Sequence, residues 1–252
     1  MKNEKTYILQ TPFLKMGGEM DNSSQTERML PSELLGPLND IEQKYVPSEF
    51  FIAGNKELLQ ETRRISVIGT RNPSKKGIEQ TQKIVAFLVK NDVVIISGLA
   101  KGIDTIAHKK AIEESGRTVA VIGTPLNECY PKENKTLQDD IMKEHLVISQ
   151  FRMGSAIHPS NFPIRNRTMA LISHASIIIE AGEKSGTMHQ GWEALRLGRP
   201  LFIVEDIAKN TELTWPSKLI EYGAEVLRMD ELDVILNILP ERTPGVIQNA
   251  GF

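Results

Sequence analysis

The sequence predicts an α/β protein with a doubly wound, mostly parallel sheet and helices on both of its faces. From Ile65 onward, short runs rich in β-branched residues alternate with helical segments, which is the order of parallel strands joined by right-handed crossovers. These runs are apolar throughout rather than alternating, as expected when helices cover both sides of each strand. The chain of 252 residues, 40% of them hydrophobic, is large enough to bury the core that such a sheet requires.

The predicted elements fall into four regions of the chain. Residues 1–29 are polar and irregular and are expected to form a flexible leader. Residues 30–60 form a preamble with one short strand, Phe50–Ala53, which packs on the main domain at residues 61–230. Residues 231–252 hold most of a terminal helix, Asp230–Leu239, and a loose tail. The predicted strands of the main domain are Ile65–Ile68, Val93–Ser97, Thr118–Ile122, Leu146–Ser149, Ser176–Glu180, Pro200–Val204 and Ala224–Leu227. The predicted helices between them cover residues 75–90, 104–115, 133–143, 164–173, 186–197 and 215–222.

Composition limits the classes of function that the chain can have. Its formal net charge is -2, so any binding of nucleic acid must depend on a local basic patch. Cys129 is the one cysteine, which excludes an internal disulfide and a four-cysteine zinc site. No apolar run approaches the roughly 20 residues that span a bilayer, and the start of the chain lacks the apolar stretch of a signal peptide. We therefore expect a cytoplasmic protein with no membrane partner.

Glycines and hydroxyl-bearing residues follow four of the predicted strands. The carboxyl ends of parallel strands meet at one edge of a sheet, where open α/β sheets bind their ligands. Glycine lets the backbone approach an anion closely, and N–H groups at the start of the next helix supply donors. One such turn would be ordinary strand-to-helix geometry, but four at one edge favour an anion or nucleotide pocket. The loops are Gly69–Asn72, Ser97–Asp104, Gly123–Leu126 and Ala181–Thr187.

Several standard motifs are missing from the sequence. No Gly-x-Gly-x-x-Gly follows the first strand and no Gly-x4-Gly-Lys-Ser/Thr occurs, so neither a dinucleotide fingerprint nor a P-loop is present. The serine-hydrolase elbow and the His-Glu-x-x-His zinc motif are also absent. Asp104 and His108 share a helix face and are expected to form a hydrogen-bonded structural pair rather than a metal site. We expect no metal, no cofactor and no catalytic residue.

Cationic and aromatic side chains surround the same predicted edge. Arg165 and Arg167 lead into a helix, and guanidinium groups match phosphate oxygens in a bidentate manner. Phe162 and Tyr130 offer faces on which bases stack. The alternative is that Phe162 fills the core and Arg165 forms a surface ion pair. The other cations expected at this edge are Arg71, Lys101, Lys132 and Lys135.

In order and spacing, these motifs resemble the DNA-processing protein A (Smf) family over roughly residues 45–227. The resemblance implies an extended Rossmann-like fold that binds single-stranded DNA in a basic pocket, forms a homodimer, and helps to load the RecA recombinase during DNA uptake or recombination. By motif, Arg71 corresponds to the central phosphate ligand. The motifs that carry the resemblance are Gly69-Thr70-Arg71, Ser97–Asp104 with His108, Tyr130–Asn134, Phe162–Arg167, Glu180-Ala181 and Ser185-Gly186-Thr187.

The sequence also departs from the family pattern. Thr70 stands where serine is common, which preserves a hydroxyl. No room follows Phe252 for the winged-helix domain of many members, and the leader is too short for their N-terminal helical domain, so we expect a compact member. The predicted DNA- and phosphate-binding residues are Gly69, Thr70, Arg71, Ser97, Gly98, Lys101, Gly102, Lys132, Lys135, Phe162, Arg165, Arg167, Ser185, Gly186 and Thr187.

Two other classes of function stay open at this point. The related lysine-decarboxylase-like phosphoribohydrolases carry Pro-Gly-Gly-x-Gly-Thr-x-x-Glu, whereas the corresponding stretch here ends in Gln190. An amide cannot act as a general base, which disfavours hydrolysis but not the binding of a nucleotide or nucleotide signal. A purely partner-binding module is the third class. Met188–Leu197 and Leu232–Leu239 are apolar enough for a dimer surface, although core packing is an equally economical use of them.

Overall fold

The computed structural model describes residues 26–60, 63–183 and 185–241, and within them nine strands form one sheet. The strand order is β1-β2-β6-β5-β4-β3-β7-β8-β9. Strands β3 to β9 pair in parallel, while β2 pairs antiparallel with both β1 and β6. The prediction of a doubly wound, mostly parallel sheet with helices on both faces is confirmed.

The bounds of the elements are as follows. The strands are β1 Thr26–Met29, β2 Phe50–Gly54, β3 Arg63–Ile68, β4 Val93–Ser97, β5 Thr118–Ile122, β6 Leu146–Ser149, β7 Ala175–Ile178, β8 Leu201–Val204 and β9 Glu225–Leu227. The α-helices are α1 Pro31–Leu35, α2 Asp40–Tyr45, α3 Lys75–Lys90, α4 Ile103–Glu113, α5 Lys135–Glu144, α6 Asn161–Ile172, α7 Thr187–Arg196, α8 Glu205–Ala208, α9 Trp215–Glu221 and α10 Val234–Asn237. Short 3-10 helices cover Lys56–Leu59 and Lys132–Asn134.

The central strands are apolar because both of their faces are covered. Every residue of β4 and β5 is buried. Along β4, Ile95 belongs to a cluster that includes residues of α3 and α4, whereas Val94 and Ile96 belong to a cluster that includes residues of α6 and α9. Successive residues of a strand point to opposite faces, so an unbroken apolar run is needed to fill two cores.

Helix α3 shows why some element bounds can be predicted closely. Ser74 is the N-cap, and its hydroxyl accepts a hydrogen bond from the backbone N–H of Gly77. Buried residues recur on one face and include Ile84 and Leu88. Asp92 then adopts a positive φ of 60°, which ends the helix and turns the chain into β4. Local signals fix both ends, and the predicted helix at 75–90 matches the observed one.

The amino-terminal region differs from its prediction. The leader was expected to reach residue 29, but Thr26–Met29 forms the edge strand β1; residues 1–25 lie outside the described residues. The preamble contributes β2 to the main sheet and so extends it, in addition to packing on it. β1 has no apolar repeat, because three of its four residues are exposed. Helices α1, α2 and α8 were also missed, since helices of four to six residues are too short to show a period.

The carboxyl-terminal segment is more irregular than expected. The predicted helix at Asp230–Leu239 has one turn, α10, and the tail from residue 242 lies outside the described residues. Leu232, Ile235 and Leu239 are buried in the core beside α3. These three side chains therefore pack within the chain, whereas Val234 is 37% exposed. None of the described helices is both long and apolar enough to cross a bilayer.

The topology places a crevice between β3 and β7. Strands β4, β5 and β6 are added on one side of β3, and the chain then returns to place β7, β8 and β9 on the other side. The direction of winding reverses between these two neighbours, β3 and β7. Ligands of open α/β sheets bind outside the carboxyl ends of the strands at such a switch point.

Candidate nucleic-acid interface

A cavity of about 590 Å³ lies at this switch point. Its walls come from the loop after β3, the loop between β7 and α7, and the start of α6. The structure thus brings together segments that lie more than 100 residues apart in the sequence. The predicted site residues that line the cavity are Gly69, Thr70, Arg71, Phe162, Arg165, Ser185, Gly186 and Thr187.

The inner end of the cavity is buried and mixed in chemistry. Ile68 and Met169 provide apolar surface, and Arg165, Asp104 and Gln190 provide polar groups. None of these five residues is more than 5% exposed. The outer end is formed by Thr70, Arg71, Ser185 and Gly186, which are half-buried or exposed.

Arg165 belongs to the buried end rather than to the surface. Its Nη1 donates hydrogen bonds to the carbonyl oxygens of Val121 (2.7 Å) and Gly98, and its Nε donates to Asn166 Oδ1 (3.0 Å). Burial lowers the pKa of the guanidinium, and the nearby Asp104 carboxylate opposes that shift. The guanidinium therefore ties the ends of β4 and β5 to α6. The alternative of a surface ion pair for Arg165 is wrong.

Asp104 is the acidic side chain beside Arg165. Burial raises the pKa of its carboxyl group, while Arg165 and hydrogen bonds from backbone N–H groups oppose the shift. One of these bonds comes from the N–H of Gly98, 3.1 Å from Oδ2. The Arg165 guanidinium therefore lies beside an acidic side chain as well as two carbonyl oxygens within the buried end.

Arg71 is placed differently, at the junction of two cavities. It is exposed, and it lines both the main cavity and a neighbouring one of about 390 Å³. Within the described residues, no carboxylate forms an ion pair with its guanidinium. Phe162 also lines both cavities, so the two form one groove with Arg71 at its middle. The remaining residues of the second cavity are Tyr130, Ile157, His158 and Pro159.

Two aromatic rings form a shelf beside Arg71. The centroids of Tyr130 and Phe162 are 5.2 Å apart, and their planes make an angle of 50°. Tyr130 is 48% exposed. A Cβ on Gly123 would lie 2.8 Å from the Phe162 ring, so one side of that ring packs tightly against the end of β5. Phe162 is thus partly a packing residue, and Tyr130 offers the more open face.

Three of the predicted site residues lie beneath the groove. Ser97 is fully buried, and its hydroxyl donates to the carbonyl oxygen of Val67 (2.7 Å). The absence of a side chain on Gly98 gives the Arg165 guanidinium its space. Gly102 has a φ of +82° as it begins α4, and any side chain there would collide with the Thr70 carbonyl oxygen. These residues hold the loops in place beneath the groove, and their contact with a ligand stays a prediction.

The other predicted cations do not line the groove. Lys101 lies 3.8 Å from Glu133, Lys135 is paired with Asp139, and Lys132 is exposed. Arg167 donates to Glu193 on α7 (3.0 Å) and covers the ring of Tyr45 at 5.2 Å. Glu193 accepts hydrogen bonds from Nε and Nη2 of Arg167, so this guanidinium already has an anionic partner, unlike that of Arg71. Contacts of these residues with a strand that continues beyond the groove stay predictions.

Sequence reasoning missed the role of Glu180. Its carboxylate accepts hydrogen bonds from the N–H (3.0 Å) and hydroxyl (2.9 Å) of Ser74, and its carbonyl oxygen accepts one from the N–H of Thr70 (2.6 Å). Glu180 therefore fixes both ends of the loop that carries Arg71. Glu180 lies two residues beyond β7, at the carboxyl end of the predicted strand Ser176–Glu180, and this position is the sequence signal that marks it.

The expected pair of Asp104 and His108 is wrong. His108 Nδ1 lies 2.7 Å from the hydroxyl of Thr118 instead. Burial lowers the pKa of His108 to about 3, so the ring is neutral. No group of three or more potential metal ligands occurs among the described residues.

The family of the chain is identified by its sequence, in agreement with the geometry of the groove. A model of the DNA recombination-mediator protein A family matches residues 27–239. The chain belongs to this family. The match covers strands β2 to β9, all but the first residue of β1, and the residues that line the groove.

Named relatives of the DNA recombination-mediator protein A family agree with this assignment. The DNA processing protein DprA of Streptococcus pneumoniae is 41% identical over 189 residues, which are 75% of this chain and 66% of that protein. The Bacillus subtilis DNA processing protein DprA is 34% identical over 196 residues, or 78% of this chain and 65% of that protein. The chain thus spans just under two thirds of the length of these curated relatives.

A solved structure of the same family shows the same fold. DNA processing protein A from Helicobacter pylori, whose structure concerns its mode of binding single-stranded DNA, matches with a TM-score of 0.72 and 25% identity. The match covers 86% of this chain and 99% of that one. The sequence therefore shows the family of the chain, and the structure shows the fold that the family shares.

Proposed function

We propose that this chain binds single-stranded DNA in the groove, with Arg71 as the central phosphate contact. The observation that carries the proposal is the position of the Arg71 guanidinium. It is exposed, lies between a cavity and an aromatic shelf, and has no carboxylate partner among the described residues. Phosphate and base are the two parts of a nucleic-acid strand that such a pair of surfaces recognises.

The proposed binding has little dependence on sequence. Phosphate contacts position a strand without reading its bases, and stacking on Tyr130 tolerates any base because each has an aromatic face. Affinity should decrease as salt increases, because every neutralised phosphate releases counterions. The solved relative from Helicobacter pylori supports the choice of single-stranded rather than duplex DNA.

Fluorescence anisotropy with a labelled oligothymidylate tests the proposal. Arg71→Ala should weaken binding by about 10- to 150-fold, the equivalent of losing about 1.5–3 kcal/mol from a charge-assisted contact. The slope of log affinity against log salt should also become shallower by about 0.7 per lost phosphate contact.

Arg117→Ala is the matched control for that experiment. Arg117 directly precedes β5, at the opposite edge of the sheet, and pairs with Asp92 at the surface. Its loss should leave the affinity within twofold of the unaltered chain. If both variants bind equally well, or if affinity is unchanged between low and moderate salt, the groove is not the DNA site.

We further propose that the chain binds DNA without catalysing a reaction. Asp104 is the one carboxylate among the residues that line the main cavity, and it faces Arg165 in the buried end. Gln190 lies where the phosphoribohydrolase signature has glutamate, and an amide cannot act as a general base. Release of a free base from nucleoside monophosphates would contradict this part of the proposal.

Pairing and recombinase loading complete the proposed function. Two grooves on one rigid particle raise the effective concentration for the second contact, so a homodimer suits a short site. Light scattering at micromolar concentration should give about twice the 28.2 kDa mass of the chain.

The family description as a recombination mediator supports RecA as a partner. Addition of the chain should shorten the lag before RecA hydrolyses ATP on single-stranded DNA.

A further inference from the structure

A cluster of cationic side chains lies at the amino-terminal edge of the sheet, opposite the groove. Arg64 is near the start of β3, His174 directly precedes β7, and Arg199 lies two residues before β8. These three strands are neighbours in the sheet, so the three side chains meet although they are distant in the sequence. Glu42 of α2 joins the cluster through an ion pair with Arg199.

The ring of His174 offers a hydrogen-bond donor to this cluster. Its Nδ1 accepts a hydrogen bond from the backbone N–H of Arg64, at 3.1 Å. Burial and the nearby guanidinium groups of Arg64 and Arg199 lower the pKa of His174 to about 4, so the ring is neutral and its one proton is on Nε2. Nε2 lies 3.4 Å from Arg64 Nη2. This contact therefore joins two donors and is not a hydrogen bond.

Arg199 has a donor that lacks an acceptor. Its Nη2 donates to Glu42 Oε1, but its Nε is buried and has no hydrogen-bond partner within the described residues. Both oxygens of Glu42 are already engaged, since Oε2 accepts a hydrogen bond from the N–H of Asn39 at 2.9 Å. Most buried donors are paired. An unpaired one beside a histidine donor indicates an acceptor that the described part of the chain does not supply.

The charges of the cluster favour an anion as that acceptor. Burial and the neighbouring Arg199 lower the pKa of Arg64 to about 10, which leaves its guanidinium protonated at neutral pH. Glu42 offsets one of the two guanidinium charges, so these side chains together keep one positive charge. The Arg199 side chain is 28% exposed, so an ion can reach it from solvent. Guanidinium groups match the oxygens of phosphate and sulfate, which accept hydrogen bonds from several directions at once.

We propose that one tetrahedral oxyanion, phosphate or sulfate, binds between Arg64, His174 and Arg199. Its oxygens accept hydrogen bonds from Arg199 Nε and His174 Nε2, with the Arg64 guanidinium beside them. The anion thereby joins the amino-terminal ends of three strands to α2, which carries Glu42. This site is separate from the groove and independent of the proposed DNA function. Its occupant is either the free inorganic ion or the terminal phosphate of a nucleotide, because both present the same group.

The melting temperature in increasing inorganic phosphate tests the site, on the full chain with Arg71→Ala so that the proposed phosphate contact in the groove is absent. A ligand that binds only the folded chain stabilises it in proportion to its affinity, so phosphate should raise the melting temperature more than sodium chloride of equal ionic strength. Arg199→Lys keeps a cation for Glu42 but has no equivalent of the Nε donor. His174→Asn keeps an acceptor for the Arg64 N–H but loses the second donor. Each change should weaken phosphate binding at least tenfold.

Arg117→Met is the matched control, because Arg117 lies at the same edge of the sheet and pairs with Asp92. It should leave the affinity for phosphate within twofold. Equal stabilisation by deoxythymidine monophosphate identifies a terminal phosphate as the occupant, whereas stabilisation by inorganic phosphate alone identifies the free ion. The site is wrong if phosphate acts no more strongly than chloride, or if Arg199→Lys and His174→Asn respond to phosphate as the chain with Arg71→Ala alone does.

Discussion

The guanidinium of Arg165 occupies the space in which any residue other than glycine at position 98 would place its Cβ. Its Nη1 donates a hydrogen bond to the Gly98 carbonyl oxygen, and the Gly98 N–H donates to Asp104. Gly98 therefore joins a buried cation to a buried anion. Gly98 and Arg165 are both predicted phosphate-binding residues, and within the chain they also support the loops under the groove.

Gly98→Ala should destabilise the chain. The added methyl group would collide with a buried guanidinium that three hydrogen bonds hold in place. Overpacking of this kind costs about 1–3 kcal/mol, which urea unfolding would measure. Gly182→Ala is the matched control, because a Cβ there would meet nothing within 4 Å. Equal free energies of unfolding for the two variants would contradict the packing described for Arg165.

Arg165→Met should lower stability far more than Arg71→Ala does. It removes the donors to Gly98 and Val121 and leaves Asp104 without its countercharge in a buried place. Leaving a buried acceptor without its donor costs about 1–3 kcal/mol, and two carbonyl oxygens lose theirs. The free energy of unfolding, measured with urea, should therefore fall by several kcal/mol in Arg165→Met and by less than 1 kcal/mol in Arg71→Ala.

Arg167→Met provides the comparison on the surface of the same helix. The Arg167 side chain is 35% exposed, and its partner Glu193, which is 13% exposed, also pairs with Arg196 at 2.9 Å and so keeps a cation. Partly exposed ion pairs contribute about 0–1 kcal/mol, so this loss should be small. A destabilisation as large as that of Arg165→Met would show that burial does not distinguish the two arginines.

Arg165 and Arg71 show what can and cannot be predicted from the sequence. The loops after β3, β4 and β7 were predicted from glycines and hydroxyls, and the structure places them at one edge. The sequence does not reveal which cation finds carbonyl acceptors once the chain folds. Arg165 finds two of them, whereas Arg71 finds no carboxylate partner in the described part of the chain. Contacts between distant parts of the chain determine which arginine has hydrogen-bond acceptors. The local sequence pattern does not predict those contacts.

The same limit explains the elements that were predicted well and those that were missed. β4 was predicted with its observed bounds because an apolar run of four residues, Val93–Ile96, follows the polar Asn91-Asp92 and ends at Ser97-Gly98. β1 was missed because an edge strand with exposed side chains needs no apolar pattern. β1 forms because it pairs with β2, and the strand propensity of its own residues does not predict that pairing.

Tyr130→Ala should weaken the binding of oligothymidylate in an anisotropy titration. The ring is 48% exposed beside Phe162 and Arg71, and stacking of one base on an aromatic ring contributes about 1–3 kcal/mol. Tyr130→Phe keeps the ring and should bind within twofold of the unaltered chain. Tyr222→Ala removes an even more exposed ring that contacts Trp192 elsewhere and should have no effect. A defect in Tyr130→Phe equal to that of Tyr130→Ala would assign the effect to the hydroxyl and not to stacking.

His108 should make the stability of the chain depend on pH. Burial, with smaller contributions from His145 and Arg165, lowers its pKa to about 3, whereas an unfolded chain protonates histidine near pH 6.5. The unfolded state therefore binds more protons below pH 6.5, and the contribution of His108 to stability is present above that pH and lost as the pH falls toward 3. Between pH 6 and pH 4 this one ring lowers the free energy of unfolding by about 1.4 kcal/mol for each pH unit.

Urea unfolding at several pH values should show this slope. His108→Gln should reduce the slope, because its amide can still bond to Thr118 but cannot titrate. Parallel curves for the two proteins from pH 7 to pH 4.5 would mean that His108 is not held neutral by burial.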